Sequence, residues 1–195
     1  MNYLAHLYFS QPTPESRVGN LLGDYQRGVD RKALPVPVRR GLENHLAVDR
    51  FTDHHPLVCQ ARRGFSASRR RFAGIALDVL FDHFLIRHWQ RFSSRDFTAQ
   101  VQRFHADLRS GEELMPTRMR QVTERMIRDD WFHAYAELDN IGYALDRIAG
   151  RIRFANDFSG VIEEIRDREA ELEAAFLTFF PELERHVAGL ALERE

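Results

Sequence analysis

Two aspartates and a histidine interrupt an otherwise apolar stretch of this chain. The segment LDVLFDHFLIRHW, residues 77–89, carries Asp78, Asp82 and His83 among leucine, phenylalanine and other apolar side chains. If the segment is helical, residues four positions apart lie about 40° apart around the axis, so Asp78 and Asp82 share a face while His83 lies to its side. Carboxylates buried together repel each other. We therefore expect a cation beside them, either an arginine or a metal ion, or a proton shared between them.

Acidic and imidazole side chains recur at helical spacing in a second segment, GLENHLAVDRFTDHHP. His45 and Asp49 are four residues apart, and so are Asp49 and Asp53, which places all three in a line along one helix. Because Asp53 directly precedes His-His-Pro, a helix-end position without a functional role is the stronger interpretation for that residue. Asp24, in VGNLLGDYQRG, and His6, in NYLAH, complete the set of candidates.

The composition of this set indicates a divalent cation. Mg²⁺ and Mn²⁺ prefer carboxylate oxygens, and Mn²⁺ and Fe²⁺ also accept imidazole. Zinc sites use more histidine or cysteine, and the chain contains neither a CxxC nor an HExxH motif. We therefore predict a metal site, with a buried arginine bridge as the alternative for the pair Asp78 and Asp82.

Helical periodicity dominates the chain, and helices must position these groups. Thr13 and Pro14 form a typical helix start, followed by apolar residues at helical spacing. We expect further helices over about 38–53, 57–68, 71–92, 95–109, 117–128 and 139–150, and a last long helix that begins near Ser159 and breaks at Pro181. The opening NYLAHLYF could be a strand or a helix. The pattern predicts one all-α domain, a multi-helix bundle over residues 1–195.

Charge and cysteine content argue against several classes of protein. The formal net charge of −1 argues against a nucleic-acid-binding protein, which is usually strongly basic. No stretch approaches the roughly 18 uncharged apolar residues of a membrane span, so we expect none. Cys59 is the single cysteine, which excludes an intrachain disulfide and fits a cytoplasmic protein, and the N-terminus lacks the features of a signal peptide.

Positive charge is concentrated in one part of the chain. Residues 62–95 contain eight arginines and two acids, a formal charge of +6 within a chain of net charge −1. Such a patch could attract an acidic partner or could be a solvated basic turn, and the residues alone favour neither. Residues 163–173 hold six acids and two arginines, a pattern typical of a solvated helix face.

The chain resembles the acyl carrier protein phosphodiesterases, also called holo-ACP hydrolases. The likeness lies in MNYLAHLYFS, in GNLLGDY, in the H-x3-D-x3-D helix and above all in D-V-x-x-D-H-F-L-x-x-H-W, and it spans most of the chain. The resemblance implies an enzyme that hydrolyses 4′-phosphopantetheine from holo acyl carrier protein and leaves the apo carrier protein. It also implies a fold related to the HD-type metal phosphohydrolases and a divalent cation, with Mn²⁺ favoured over Mg²⁺ or Fe²⁺. Since the chain contains no His-Asp dipeptide, an HD-type metal site would have to be rearranged.

With this resemblance the candidate residues take specific roles. The metal ligands are expected among Asp24, Asp78, Asp82, His83, His6 and Asp49. The candidates for catalysis are Asp24, His45 and His83, since water must attack the phosphodiester and the serine oxygen must leave. The partner would be an acidic acyl carrier protein, docked on the basic patch formed by Arg62, Arg63, Arg69, Arg70, Arg71 and Arg87.

Two other functions stay open. An HD-type phosphohydrolase acting on a nucleotide or another small phosphate ester would use the same ligands. A non-catalytic helical protein would bind an acidic partner, contain no metal and pair its carboxylates with arginine. A di-iron carboxylate bundle is disfavoured because the chain contains no Glu-x-x-His motif.

Overall fold

The computed structural model describes residues 1–194, and within them the chain forms twelve α-helices and no β-strand. The helices are α1 (Tyr3–Phe9), α2 (Pro14–Leu22), α3 (Val36–His54), α4 (Pro56–Arg63), α5 (Ala73–Arg87), α6 (Trp89–Phe92), α7 (Phe97–Ser110), α8 (Thr117–Arg128), α9 (Trp131–Ala134), α10 (Leu138–Ala149), α11 (Val161–Asp167) and α12 (Glu169–Leu190). Short 3-10 turns cover Gly23–Tyr25, Arg70–Phe72 and Glu112–Leu114. The prediction of an all-α fold is confirmed.

One apolar core joins helices from both ends of the chain and extends from Met1 to Leu183. The segment NYLAHLYF forms α1, which lies inside this core and packs against α2, α3 and α5. Its residues Leu4, Ala5 and Leu7 are completely buried. Since α1 is surrounded by other helices, any polar group on it or facing it must find its partners within the protein.

Helices α2 and α3 approach each other closely because each has a glycine at the contact. A Cβ atom at Gly19 would lie 2.3 Å from a backbone carbonyl oxygen at the start of α3, and a Cβ atom at Gly41 would lie 2.8 Å from a backbone carbonyl oxygen of α2. No larger residue fits there without moving a helix. The contact brings the turn that carries Asp24 beside the middle of α3, where His45 lies.

Helix ends agree with the prediction where capping signals are strong. Thr13 accepts a hydrogen bond from the Ser16 N–H at 3.2 Å, and α3 ends at His54, immediately before His55-Pro56. The predicted helix over 57–68 is wrong at its end, because α4 stops at Arg63 and the N–H of Gly64 bonds back to carbonyl groups of its last turn.

The interruptions of two long helical regions differ from the predicted ones. The predicted helix over 71–92 begins as a 3-10 turn and is interrupted at His88, which separates α5 from α6. The prediction of a break at Pro181 is wrong, since α12 continues through that residue. The last helical region divides instead at Arg168, between α11 and α12. Phe180 and Leu183, both completely buried, hold the helix in the core on either side of Pro181, which offsets the backbone hydrogen bond that proline cannot donate. None of the described helices is long and apolar enough to cross a membrane.

Candidate metal centre

Asp82 lies at the buried start of α1. Its two carboxylate oxygens accept hydrogen bonds from the backbone N–H groups of Leu4 and Ala5, both at 3.0 Å, and the side chain is completely buried. The first N–H groups of a helix have no partner within the helix, and an acidic side chain there is favoured by the helix dipole. Burial nevertheless dominates and raises the pKa of Asp82 to about 7. Asp82 thus caps the N-terminal end of α1.

Asp78 faces the same end of α1 but meets a different group. Its Oδ1 lies 3.0 Å from the ammonium nitrogen of Met1, which also lies 3.1 Å from Oδ1 of Asp49. Burial alone would lower the pKa of this ammonium group, but the two carboxylates outweigh burial and raise it to about 11. Asp78 and Asp82 share a face of α5, as their spacing predicts. The charge of Asp78 is balanced by the ammonium group of Met1, whereas Asp82 is stabilised by backbone N–H groups of α1. Among the described residues no arginine pairs with either, so the buried arginine bridge is wrong.

Two histidines and Asp49 converge beside this ammonium group. Nε2 of His45 lies 3.0 Å from Oδ2 of Asp49, and Nε2 of His6 lies 3.2 Å from Oδ1. The two imidazole rings are stacked with their centroids 3.8 Å apart. One ligand atom from each of the three residues lies within 4.8 Å of the others, a separation that a single cation at about 2.0–2.3 Å from each could bridge.

A backbone hydrogen bond on the side away from Asp49 fixes the orientation of the His45 ring. Its Nδ1 donates a hydrogen bond to the backbone carbonyl of Asn20 at 2.7 Å, because a carbonyl oxygen can only accept. The remaining nitrogen, Nε2, therefore faces Asp49, where it requires either a second proton or a cation between the two groups. Although burial lowers the pKa of His45, the carboxylates of Asp49 and Asp24 outweigh it, and the net change is upward.

His6 is held in its neutral form, the form that binds metals. Burial and the neighbouring His45 lower the pKa of His6 to about 3. Its Nε2 donates to the carbonyl oxygen of Met1 and to Asp49, both at 3.2 Å, since a carbonyl oxygen can only accept. The unprotonated nitrogen is then Nδ1, which is buried with no hydrogen-bond partner among residues 1–194. To bind a cation through Nε2, His6 would have to move its proton to Nδ1. Burial raises the pKa of Asp49, but the hydrogen bonds from both histidines outweigh it and hold that pKa well below its usual range.

Asp24 borders this cluster on its open side. It lies in the turn after α2, and its side chain is exposed. The surrounding protein still desolvates it and raises its pKa, and its charge interacts with His45, Asp49 and Asp78. The side chains of Asp49 and Asp78 are 36% and 33% exposed. We call the solvent-accessible surface between these three carboxylates the recess.

Gly23 makes room for the cluster. A Cβ atom at this position would lie 1.9 Å from Cδ2 and 2.0 Å from Nε2 of the His45 ring. The imidazole therefore packs directly on the backbone of the turn that carries Asp24. The donor set of two imidazole nitrogens with accessible carboxylates fits a divalent cation of the Mn²⁺ or Fe²⁺ type.

Comparison with known proteins assigns the chain to a family. Residues 1–183 match the acyl carrier protein phosphodiesterase family. The chain belongs to that family. Proteins named acyl carrier protein phosphodiesterase from Yersinia pestis and Photorhabdus laumondii are 35% and 33% identical to this chain, over 95% and 93% of it and 96% and 92% of their own length. The protein of that name from Escherichia coli O157:H7 is 33% identical over 98% of this chain and 100% of its own length. No solved structure matches the chain significantly.

Membership of the acyl carrier protein phosphodiesterase family confirms the resemblance carried by the motifs of the N-terminal half. The relation to HD-type phosphohydrolases stays a prediction.

Three cavities of about 330–400 Å³ lie away from the metal cluster: beside the C-terminal end of α12, between α7 and α8, and beside Trp89. None of them is lined by His6, His45 or Asp49.

His83 lies apart from the cluster formed by His6, His45 and Asp49. Its Nδ1 donates to the backbone carbonyl of Tyr135 at 2.8 Å, and the residue is almost fully buried. Its Nε2 is also buried without a partner among the described residues. The position one residue after Asp82 rotates His83 about 100° away from α1, which is why it points to the segment after α9. The structure therefore does not bring His83 to the cluster.

Half of the predicted docking arginines are bound within the chain. Arg71 lies over the ring of Phe154, 4.8 Å from its centroid. Arg63 and Arg70 are exposed and make no ion pair with an acid among the described residues. The other three pair with acids, which corrects their assignment to a free docking patch: Arg62 with Asp53, Arg69 with Glu164, and Arg87 with Glu169 and Glu173. The acidic stretch 163–173 is thus not simply a solvated face.

Several groups of the site were not predicted from the sequence. Asn20 orients His45 through its backbone carbonyl, and Tyr3 and Tyr25 join their hydroxyl groups at 2.7 Å beside Asp24. The ammonium group of Met1 lies between two carboxylates. Asn20 left a signal, because a polar residue inside the apolar run VGNLL needs buried partners. A backbone carbonyl or a chain end leaves no such signal.

Proposed function

We propose that this family member hydrolyses the phosphodiester that joins 4′-phosphopantetheine to a serine of holo acyl carrier protein. The reaction releases 4′-phosphopantetheine and leaves the apo carrier protein. One observation carries the proposal beyond the family name: nitrogen and oxygen atoms of His6, His45 and Asp49 lie within 4.8 Å of one another, in a recess whose other walls carry accessible carboxylates. Such a recess suits a phosphodiester held by a cation.

His6, His45 and Asp49 are the residues that would hold a divalent cation, with Asp78 and Asp24 contributing charge beside them. A bound Mn²⁺ would lower the pKa of water and stabilise negative charge on the phosphoryl oxygens and on the departing serine oxygen. Mn²⁺ is favoured over Mg²⁺ because two of the three donors are imidazole nitrogens.

Asp24 is the residue to which we assign proton transfer. Its carboxylate is accessible, borders the ligand cluster and lies on the turn that packs against His45. A carboxylate oxygen in that position can accept a proton from the attacking water or return one to the serine oxygen. His45 then acts as a ligand whose ring Asn20 holds in place, and His83 has no part in the reaction.

The partner inferred from the family name is an acyl carrier protein, and we infer that it is acidic. We also place the reaction in the cytoplasm, which the unpaired Cys59 supports because the described chain needs no oxidising compartment to fold.

The test combines turnover with metal binding. The wild-type protein with Mn²⁺ should convert holo to apo carrier protein, seen as loss of the phosphopantetheine mass, and should bind Mn²⁺ in calorimetry. Asp49→Asn should lose both properties, since it removes the charge that faces both histidines. Asp53→Asn is the matched control: it changes an aspartate one turn away on the same helix, which pairs with Arg62 outside the cluster, and should retain both.

Other outcomes separate the alternatives. Turnover of a panel of nucleotides without conversion of holo carrier protein would favour the small-ester phosphohydrolase. Absence of Mn²⁺ binding and of any turnover would favour the non-catalytic helical protein. Unchanged turnover and Mn²⁺ affinity in Asp49→Asn would exclude the proposed cluster.

A further inference from the structure

The position of the scissile bond sets where a carrier protein must lie. In the reaction proposed above, on which this inference rests, the phosphodiester is attached directly to a serine of the carrier. No flexible arm separates that bond from the carrier surface. The carrier must therefore contact the rim of the recess, and the groups that attract it must lie beside Asp24 and the ligand cluster.

Tyr25 connects the recess to α8. Its hydroxyl lies 2.7 Å from that of Tyr3, and the ring of Tyr3 lies 6.3 Å from that of Trp131, at the start of α9. α8 ends at Arg128, so its C-terminal end leads directly to this aromatic contact at the start of α9. Burial raises the pKa of Tyr25, and the charges of Arg118 and Arg125 on α8 oppose that rise.

One flank of α8 carries two arginines that have no acidic partner among the described residues. Arg118 and Arg125 are seven residues apart, which places them about 20° apart around the helix. Both are exposed, and neither pairs with an acid within residues 1–194. Arg125 bonds only to the backbone carbonyl of Gln121, one turn earlier on its own helix. In contrast, Arg120 and Arg128 on other faces of α8 pair with Glu112 and Asp129.

The loop that follows Tyr25 adds further positive charge to the same edge. Arg27, Arg31 and Lys32 are exposed, and none forms an ion pair with an acid in the described part of the chain. Arg31 donates to the side chain of Gln26. The single acid of the loop, Asp30, accepts a hydrogen bond from the backbone N–H of Lys32. The loop begins directly after Asp24 and Tyr25, which border the recess, and Arg27 follows Tyr25 by only two residues.

We propose that an acidic carrier protein docks on a surface formed by Arg27, Arg31, Lys32, Arg118 and Arg125, here called the docking rim. The loop and the flank of α8 thus contribute five cations and one acid, Asp30, next to the carboxylate of Asp24, in a chain whose formal net charge is −1. The occupant is an acidic protein, because the cations are spread along two elements rather than gathered around one small anion. Such a surface steers an acidic partner toward the recess and weakens with salt.

Charge reversal tests the docking rim. Arg118→Glu/Arg125→Glu should raise the KM for holo acyl carrier protein about 10-fold or more, with kcat nearly unchanged. It should also weaken the binding of apo acyl carrier protein in calorimetry and flatten the dependence of KM on NaCl. Hydrolysis of bis(4-nitrophenyl) phosphate, which makes no docking contacts, should stay at the wild-type rate.

Two further variants make the comparison sharp. Arg103→Glu/Arg109→Glu makes the same charge change at two exposed arginines of α7 that have no acid partner among the described residues, and should leave KM within about 2-fold of wild type. Arg63→Glu/Arg70→Glu probes the basic segment predicted from the sequence. A larger KM in that variant than in Arg118→Glu/Arg125→Glu would overturn the docking rim, and so would equal KM values in all three variants.

Failure of the docking rim is distinguishable from failure of the proposed reaction. If the wild-type protein did not convert holo carrier protein, the reaction would be wrong. Binding of apo carrier protein by the wild type and its loss in Arg118→Glu/Arg125→Glu would still support the docking rim. If apo carrier protein bound both proteins equally, the docking rim would be wrong whatever the turnover.

Discussion

The carboxyl group of Asp82 is buried where α1 begins, and its protonation is linked to folding. It accepts hydrogen bonds from two backbone N–H groups, which favour the charged form, while burial disfavours that form more strongly. Its pKa is about 7 in the folded protein, against 3.8 for an unperturbed aspartate. Between these values the folded state holds a proton that the unfolded chain has released. Stability must therefore fall as the pH rises through this window.

Substitution of Asp82 by asparagine should remove this pH dependence. Asparagine has nearly the same shape and does not titrate, so the free energy of unfolding of the wild type relative to Asp82→Asn should fall by about 2 kcal/mol between pH 5 and pH 7. Urea unfolding of both proteins at pH 5, 6 and 7 measures the difference. A difference that stays constant over this range would show that Asp82 does not hold its proton when folded.

Gly23→Ala should disturb the metal cluster without touching a ligand. The new methyl group would overlap the His45 ring, at 1.9–2.0 Å from two of its atoms, so the ring or the turn that carries Asp24 must move. We expect the affinity for Mn²⁺ and the turnover of holo carrier protein to fall at least about 10-fold, with a loss of stability of about 1–3 kcal/mol. Gly150→Ala is the control, because its Cβ would make only ordinary contacts, at 3.7 Å and beyond. Wild-type Mn²⁺ affinity in Gly23→Ala would contradict this account of the site.

At the scale of the elements, the contact between α2 and α3 sets the position of the recess. α2 leads into the turn with Asp24, and α3 carries His45 and Asp49. Because Gly19 and Gly41 let the two backbones touch, both groups of side chains lie against each other. A small increase in the separation of these helices would pull the turn away from the cluster.

Gly19→Ala should therefore lower both stability and activity. The added Cβ would meet a backbone carbonyl oxygen at 2.3 Å and a backbone Cα at 2.9 Å, neither of which can rotate away. We expect a loss of about 1–3 kcal/mol in the free energy of unfolding, together with lower turnover. The matched control is Gly189→Ala in α12, whose Cβ would enter open space; it should leave stability unchanged or raise it by up to about 1 kcal/mol. Equal effects of the two substitutions, measured by urea unfolding, would contradict a close contact.

Acidic residues of α11 and α12 pair with part of the basic segment that the sequence emphasises. Arg69 pairs with Glu164, and Arg87 pairs with Glu169 and Glu173, across separations of more than 80 residues. The opposite charges of residues 62–95 and 163–173 were a readable signal of this pairing. Neither segment predicts this pairing by itself, because a charged helix face is equally compatible with solvent.

For the molecule as a whole, the metal cluster joins distant parts of the chain. His6 lies on α1, His45 and Asp49 lie on α3, and Asp78 lies on α5. A cation bound there would stabilise the folded state, because the unfolded chain cannot hold these ligands together.

Mn²⁺ should raise the melting temperature of the wild-type protein. At a free concentration about 100 times its dissociation constant, the cation would add about 2.7 kcal/mol of stability, which corresponds to about 5–10 °C for a domain of this size. Asp49→Asn should show no such shift, and Asp53→Asn should shift as the wild type does. Equal shifts in the wild type and Asp49→Asn would place the cation elsewhere.

The sequence by itself determined the all-α class, the approximate starts of most helices, the chemical types of the site residues and the family. Helical spacing correctly placed Asp78 and Asp82 on one face and His45 and Asp49 on another, since these relations follow from backbone geometry within a few residues. Thr13 likewise identified its helix start through a local hydrogen bond.

Only the tertiary structure decided which of these faces meet. Asp82 was expected at a metal and instead binds the start of α1, 77 and 78 residues away in the chain. Helical periodicity predicts which side of a helix is buried, but it does not predict which other helix covers that side. That choice depends on packing between distant segments, such as the glycine contact of α2 with α3 and the burial of α1. Those contacts bring His6, His45 and Asp49 together and leave His83 outside.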